Sequence, residues 1–348
     1  MKHFKYFKLL LATLLLASCN SNNHSSELQN YQVEHVQVFG NDVEDIESDH
    51  PIEDGVFSNS SNFSVTDDGK VFVYDANYFK IALFDQQGNI IRTLGRHGSG
   101  PGEFERVTAT AWDSYNDRLA VFDEAQARLT FFNTEGEYLS SYAVPLSMVR
   151  SMEIQQDRIW LGRRATRTYL ASYIPNPDEE THREGSELDL QNVLELTDEE
   201  LQKNPEGPSP QIGSGPSGEV LIPAITPGIW YAGINAEFED VGTALLSDSE
   251  MEPIEIEGHT YDAAAGTVLG IGTINDEQLG LTWSYMNRDV QELSKPMLEI
   301  FDESGNHVAH AELPSEWTNK VVKAGDNTIY VREAQPYQRI VKYRLIPD

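Results

Sequence analysis

An internal repeat constrains the fold of this chain more than any other feature of its sequence. Segments 71–75 (VFVYD) and 119–123 (LAVFD) match at an offset of 48 residues, and so do 80–88 (KIALFDQQG) and 128–136 (RLTFFNTEG). Each copy alternates apolar with other residues, turns at glycine and Asp or Asn, and alternates again, as antiparallel strands do. A repeat of about 40–50 residues that holds four strands is typical of a β-propeller blade.

Weaker copies of the same unit recur along the rest of the chain. They are found at 157–161 (DRIWL), 219–222 (EVLI), 301–306 (FDESGN), 328–331 (TIYV) and 339–343 (RIVKY). With the N-terminal region and one insert set aside, the remaining length accommodates about six such units. The sequence therefore predicts an all-β fold, a six-bladed β-propeller of four-stranded antiparallel blades.

The repeat also predicts which residues occupy equivalent core positions. Two sets should each share one buried strand position: Val73, Val121 and Val331 in one set, and Phe84, Phe132 and Tyr343 in the other. Residues 31–39 (YQVEHVQVF) also alternate like a strand. We expect this segment to pair into the last blade and close the ring, because closure removes an exposed sheet edge.

The N-terminal residues have the pattern of a bacterial lipoprotein signal. Three lysines precede an apolar run at 9–17, which is shorter than the ~20 residues that a membrane-spanning helix needs. The run leads into the sequence LASC, which resembles a lipobox and ends at Cys19, the only cysteine of the chain. We expect residues 1–18 to be removed, Cys19 to carry acyl chains (palmitate among them) and 19–30 to form a flexible tether. The alternative is an ordinary signal peptide with a chance cysteine.

The predicted propeller domain, residues 31–348, contains an acidic segment at 175–209 that lacks a repeat pattern. This segment holds eleven acidic residues and two basic ones, and a capping box at Thr197 predicts a short helix. One interpretation is an acidic surface loop, and the other is a lid or docking arm over the ring.

The connection between the first two repeats carries a family resemblance. Residues 95–104 (GRHGSGPGEF) resemble the linker of NHL-type repeats, in which a glycine-rich turn and a phenylalanine lead into the next blade. The chain therefore resembles six-bladed β-propellers of the NHL and TolB-like group. The resemblance is clear over 63–143, partial at 296–345 and weak between them, and Val107 stands where the family often has proline.

The residues do not display the local motifs of an enzyme. The histidines show neither H-x-H nor HExxH spacing, and the chain has no Gly-x-Ser-x-Gly elbow. No metal site or cofactor is predicted, although calcium bound by carboxylates is left open. Among the histidines only His97 is placed where it could reach the channel, and a loop role is favoured for it. The net charge of −31 repels phosphate backbones, so nucleic acid is a poor partner.

These observations favour a non-enzymatic binding or scaffold protein attached to the membrane through lipidated Cys19. Asn20, after the cysteine, favours the outer membrane by resemblance to enteric sorting rules. Loops that enter the innermost strands would present a protein, peptide or carbohydrate ligand with Arg106, Arg150 and Tyr285. The alternative is a lactonase-like propeller hydrolase or lyase with a metal at the mouth of the channel, because fold alone does not decide function.

Overall fold

A computed structural model describes most of the chain beyond the predicted tether. The described residues are 29–42, 44, 49–155, 158–164, 168–175, 182–189, 211–215, 220–225, 229–234, 240–245, 254–256, 259–275, 278–287, 296–302, 306–314, 321–323, 327–334 and 336–348. The predicted signal peptide, Cys19 and the residue at which the acidic helix was predicted to begin lie outside these ranges.

The chain folds as the predicted all-β propeller, and its first three blades are regular four-stranded meanders. An N-terminal strand, β1 (Gln29–Phe39), and a 3₁₀ helix (Pro51–Asp54) precede them. The strands of blade 1 are β2 (Ser60–Val65), β3 (Val71–Asp75), β4 (Lys80–Phe84) and β5 (Ile90–Leu94). Those of blade 2 are β6 (Val107–Asp113), β7 (Arg118–Asp123), β8 (Arg128–Asn133) and β9 (Tyr138–Ala143). Those of blade 3 are β10 (Val149–Gln155), β11 (Arg158–Arg164), β12 (Thr168–Pro175) and β13 (His182–Asp189).

Blade 4 repeats this arrangement with a short first strand, and the last two blades depart from it. Blade 4 contains β14 (Gly213–Ser214), β15 (Val220–Ile225), β16 (Ile229–Ile234) and β17 (Asp240–Leu245). Blade 5 contains β18 (Ile254–Ile256), β19 (His259–Asn275), β20 (Gln278–Asn287), β21 (Met297–Asp302) and β22 (His307–Glu312). Blade 6 contains β23 (Val321–Lys323), β24 (Thr328–Glu333) and β25 (Arg339–Pro347), and β1 completes it.

The N-terminal strand closes the ring, as its alternating sequence predicts. β1 runs antiparallel to β25, from Tyr31 opposite Pro347 to Phe39 opposite Ile340. Its first two residues, Gln29 and Asn30, instead pair in parallel with β22 of blade 5. The strands of blades 5 and 6 therefore belong to one nine-stranded sheet, whereas the sequence predicts separate four-stranded blades.

Apolar residues between neighbouring blades form the core. The repeat correctly predicts its register: Val73, Val121 and Val331 are fully buried on the second strands of their blades, and Phe84, Phe132 and Tyr343 are buried on the third strands. One cluster joins blades 6 and 1 through Phe39, Phe84 and Tyr330. Aromatic rings in this cluster pack closely, with 5.8 Å between the centroids of Phe39 and Tyr330. Burial of this interface ties the two ends of the repeat series together.

The connections between blades 3, 4 and 5 run through close backbone and side-chain contacts. The Ser214 hydroxyl of β14 donates to Glu153 Oε2 of β10 at 3.0 Å. Gly213 approaches β19 so closely that a Cβ at this position would lie 1.9 Å from the Ile271 carbonyl oxygen. Only glycine fits such an approach of two backbones.

Part of the predicted acidic insert forms a strand of blade 3. β13, at His182–Asp189, lies inside the predicted segment 175–209 and pairs with β12 as the outermost strand of blade 3. The sequence of this segment shows no repeat pattern that would indicate the strand. An outermost strand is held mainly by backbone hydrogen bonds to one neighbour, so it needs no apolar alternation that sequence inspection would detect.

Candidate functional site

A buried carboxylate at the end of the second strand holds together the entrance of each of the first two blades. Asp75 accepts hydrogen bonds from the backbone N–H groups of Ser58 and Asn59, at 2.7 and 2.8 Å. Asp123 stands at the equivalent place in blade 2 and accepts from Glu105 N and Arg106 N at 2.6 and 3.1 Å. These bonds attach the segment that enters the innermost strand to the loop between the second and third strands.

Blade 6 uses a longer carboxylate at the same repeat position. Glu333 accepts two hydrogen bonds from Arg339, from Nε at 2.9 Å and Nη2 at 2.7 Å, and a third from the Tyr343 hydroxyl. Burial alone would lower the pKa of Arg339, but its bonds to Glu333 raise that pKa overall. Burial, together with the Glu333 carboxylate, raises the pKa of Tyr343. In all three blades, the acidic residue of the repeat therefore has a structural role, in which it accepts hydrogen bonds from neighbouring segments.

The glycine-rich linker between blades 1 and 2 is folded around two residues, Phe104 and Glu103. Phe104 is fully buried in the core between these blades, and a Cβ on Gly95, whose φ is 81°, would lie 2.2 Å from its ring. Glu103 accepts from Gly100 N at 2.7 Å and from Arg96 Nε at 2.6 Å, and these two bonds lower its pKa.

Two further side chains complete the linker. Arg128 donates to linker carbonyl groups, including that of Glu103 at 3.0 Å. His97 is exposed and packs on Phe79, with 4.5 Å between ring centroids. The linker sequence thus serves blade-to-blade packing, and His97 belongs to this loop.

An exposed patch lies where the chain enters the innermost strands of blades 2 and 3. This rim patch comprises Arg106, Glu124, Met148, Arg150 and Arg163. Arg106 Nη2 forms an ion pair with Glu124 Oε2 at 3.3 Å, and the Arg106 side chain is 65% exposed whereas that of Glu124 is 7% exposed. Glu124 also accepts a hydrogen bond from Met148 N, so one carboxylate links the two entrances.

Met148 is held in an uncommon backbone conformation at the surface. Its φ is 60°, in the left-handed region that non-glycine residues seldom adopt, and the residue is 45% exposed. Arg163 Nε donates to the Ser147 carbonyl at 2.9 Å, and Arg164 N donates to that of Met148 at 2.9 Å. An exposed apolar side chain fixed in this way is a feature often associated with function.

The structure brings together two of the three side chains that the sequence proposed for ligand binding. Arg106 immediately precedes β6, and Arg150 lies at the start of β10 with its side chain exposed. Tyr285 lies in β20, and its side chain is outside the described part of the structure. Sequence reasoning missed Glu124, Met148 and Arg163, because blade 1 has Ala76 where blade 2 has Glu124 and so offers no repeat signal.

A second group of polar residues lies on β21 and β22, the last two strands of blade 5. One potential ligand atom from each of Glu299, His307 and His310 lies within 4.8 Å of those of the other two. Glu299 Oε2 and His307 Nε2 are 2.8 Å apart. Sequence reasoning predicted no metal site, whereas in the structure both histidines are partly buried and adjacent to a buried carboxylate.

A family model and one solved structure agree with this architecture. Residues 53–174 match the model of a family described as a 6-bladed beta-propeller. A crystal structure of a protein of Bacteroides fragilis, thought to be exported, is similar over 90% of this chain and 95% of its own, at 12% identity and a TM-score of 0.50. The Cps50 (Swd1) β-propeller domain of Myceliophteria thermophila covers 89% of this chain and 99% of its own, at 11% identity and a TM-score of 0.48.

No curated protein matches the sequence. Within the residues that the structure describes, no helix has the length and apolar character needed to cross a membrane.

Proposed function

We propose that this protein is an envelope lipoprotein that binds a ligand through the rim patch and does not transform it. The single observation that carries the proposal is the composition of the patch, in which the shielded carboxylate of Glu124 contacts exposed Arg106 and Met148, and exposed Arg150 lies two residues beyond Met148. A rigid group of cationic and apolar side chains on a propeller face is suited to recognition.

The buried carboxylate of Asp123, beside the rim patch, supports a binding role over a catalytic one. Its oxygens accept hydrogen bonds from the backbone N–H groups of Glu105 and Arg106, in the segment that enters blade 2. A general acid or base must instead reach a bound substrate. The Asp123 carboxylate therefore fixes the backbone position of Arg106 in the rim patch.

The charge of the rim indicates the class of ligand. The protein carries a net charge of −31, so most of its surface repels an anion, and local cations have to provide the attraction. Arg106 and Arg150 match a carboxylate with their planar, multiply donating groups, and Met148 offers an apolar contact beside them. We propose that the ligand bears carboxylates, as an acidic oligosaccharide or an acidic peptide does.

The hydrolase or lyase alternative required a metal at the mouth of the channel. The described group of metal-ligand residues, Glu299, His307 and His310, lies instead on β21 and β22, the last two strands of blade 5. Its position does not favour that alternative.

Binding of oligogalacturonate, measured by titration calorimetry against its methyl-esterified form, tests the proposal. The double variant Arg106→Glu with Arg150→Glu should weaken binding of the acidic form at least about tenfold, because two attractive charges become repulsive. Arg344→Glu is the matched control, since Arg344 is also half-exposed and ion-paired but lies on β25, away from the rim. Equal effects of the rim and control variants, or equal binding of the ester, would exclude the rim as the binding site.

A peptide of six glutamates, compared with six glutamines, forms the second arm of the same experiment. It separates an acidic peptide from an acidic oligosaccharide as the preferred ligand. If neither acidic probe binds more tightly than its neutral counterpart, the proposed recognition of carboxylates is wrong.

A further inference from the structure

We infer that Glu299, His307 and His310 form a binding site for a first-row divalent transition metal, with zinc as the ion that tests it. The site would be distinct from the rim patch, because it lies on β21 and β22, the last two strands of blade 5. Its position beside the N-terminal strand gives a bound metal a structural role at the seam of the ring.

A β-bulge brings the two histidines to one face of the sheet. His307 and His310 are three residues apart, so in a regular strand their side chains would point to opposite faces. The pairing of β21 with β22 shifts between Ile300 opposite Ala309 and Phe301 opposite His307, which leaves Val308 as an extra residue. A bulge of this kind redirects side chains, and it places both histidines on the face that carries Glu299.

The register then brings the third ligand into place. Glu299 stands directly opposite His310 across the two strands, and side chains of directly paired residues lie close together. His307 pairs with Phe301, two residues further along the strand from Glu299 and on the same face. The contact between the two imidazole rings agrees with this register, since the centroids of His307 and His310 are 6.3 Å apart.

Burial makes this group more than a surface cluster. Glu299 is 7% exposed, and its Oε2 atom and the Nε2 atom of His307 are both shielded from solvent. These two atoms form an ion pair at 2.8 Å, so both face one small, buried space. A metal ion bound by the carboxylate oxygen and the imidazole nitrogen would compensate both groups for the water that burial removes.

The donor set selects the kind of ion. Two imidazole nitrogens and one carboxylate oxygen suit zinc and other first-row transition metals, whereas calcium and magnesium prefer all-oxygen sites. Ligand atoms on a metal of this size lie about 2.0–2.2 Å from it, so atoms within 4.8 Å of one another reach a common ion with small side-chain adjustments. Three protein ligands leave one tetrahedral position for water or an anionic group.

The location of the site predicts what the metal does. The backbone of His310 pairs with Glu299 on one side and with Asn30 of β1 on the other. A metal held by β21 and β22 therefore fixes the strand against which the N-terminal segment docks. Binding to the folded chain alone stabilises it by mass action.

Zinc titration of the purified full chain, after removal of metals by a chelator, tests the inference. We expect one zinc per chain by elemental analysis and a rise in Tm of roughly 5 °C at zinc about 100 times the Kd. His310→Ala and Glu299→Gln should each weaken zinc binding by about 100-fold or more, since even loss of an outer hydrogen-bond partner costs ~10–100-fold. Calcium should produce no rise in Tm that these variants abolish.

His97→Ala is the matched control. His97 is also a histidine that packs on an aromatic ring, but it lies in the linker between blades 1 and 2. It should bind zinc as the unaltered chain does. His310→Asn provides a milder second variant, whose folding is checked by its metal-free Tm. A substoichiometric zinc content, or zinc binding that all three site variants retain, would overturn the inference and leave Glu299 and His307 as an ordinary ion pair.

Discussion

At the scale of single residues, the repeated acidic residue shows how one side chain can determine the shape of a loop. Asp123 is almost fully buried and accepts four hydrogen bonds, two from the segment entering β6 and two from Gln126 in its own loop. Burial of a carboxylate is tolerated because backbone and amide N–H groups replace its water. Shortening this side chain would leave those donors without their acceptor.

We predict that Asp123→Ala lowers the free energy of unfolding by about 2–4 kcal/mol, because each buried donor left unsatisfied costs ~1–3 kcal/mol. Urea denaturation followed by tryptophan fluorescence measures this difference. Glu105→Ala removes an acidic charge from the same segment at an exposed position and should change stability by less than ~0.5 kcal/mol. Equal effects of the two substitutions would show that Asp123 does not brace the entrance.

At the scale of strands, β1 contributes to the core although it precedes the first repeat. Phe39, its last residue, is fully buried and packs against Phe84 of blade 1 and Tyr330 of blade 6. One side chain therefore joins the N-terminal strand, the first blade and the last blade.

We predict that Phe39→Ala destabilises the protein by about 3–5 kcal/mol, the range for a fully buried phenylalanine. Val36→Ala, a smaller change on the same strand at a position that is 38% exposed, should cost less than ~1 kcal/mol. Thermal unfolding of the two variants provides the comparison. A Phe39→Ala protein as stable as the Val36→Ala protein would mean that closure by β1 adds little to stability.

The strands also show which parts of the fold could be predicted from the sequence. Val73 and Val121 were matched by a constant offset in the sequence. The match holds because strands that are buried on both faces need apolar residues at the same positions in each blade. The same turn chemistry recurs where Asn89 and Asn306 donate to Asp85 and Asp302. These local requirements appear in the sequence wherever a blade repeats them.

Features that depend on contacts between distant segments left no such signal. β13 was missed because its partner, β12, supplies the backbone bonds that hold it. The group Glu299, His307 and His310 was missed because a bulge cancels the alternation that would have separated the histidines. Two residues of the rim patch, Arg106 and Arg150, could be predicted from the register of the blades. Glu124 could not, because blade 1 has no counterpart of it.

At the scale of the whole molecule, the proposal of an anchored lipoprotein depends on one residue outside the described structure. We predict that Cys19→Ala abolishes incorporation of labelled fatty acid and moves the protein from the detergent phase to the aqueous phase on Triton X-114 partitioning. Ser21→Ala, in the predicted tether, should leave both properties unchanged. Detergent partitioning that is the same for the Cys19→Ala protein and the unaltered chain would contradict the anchor.

Closure of the ring by β1 has a consequence for the order of events after translation. Glu34 of β1 and Arg344 of β25 form an ion pair although they are 310 positions apart in the sequence. The first strand to be synthesised can therefore pair only after one of the last strands has been made. Until then β1 has neither of its partners, β22 or β25, and its edge is open to wrong pairing. Such a distant contact slows the final step, so newly made chains should pass through a long-lived open form that is vulnerable to proteases.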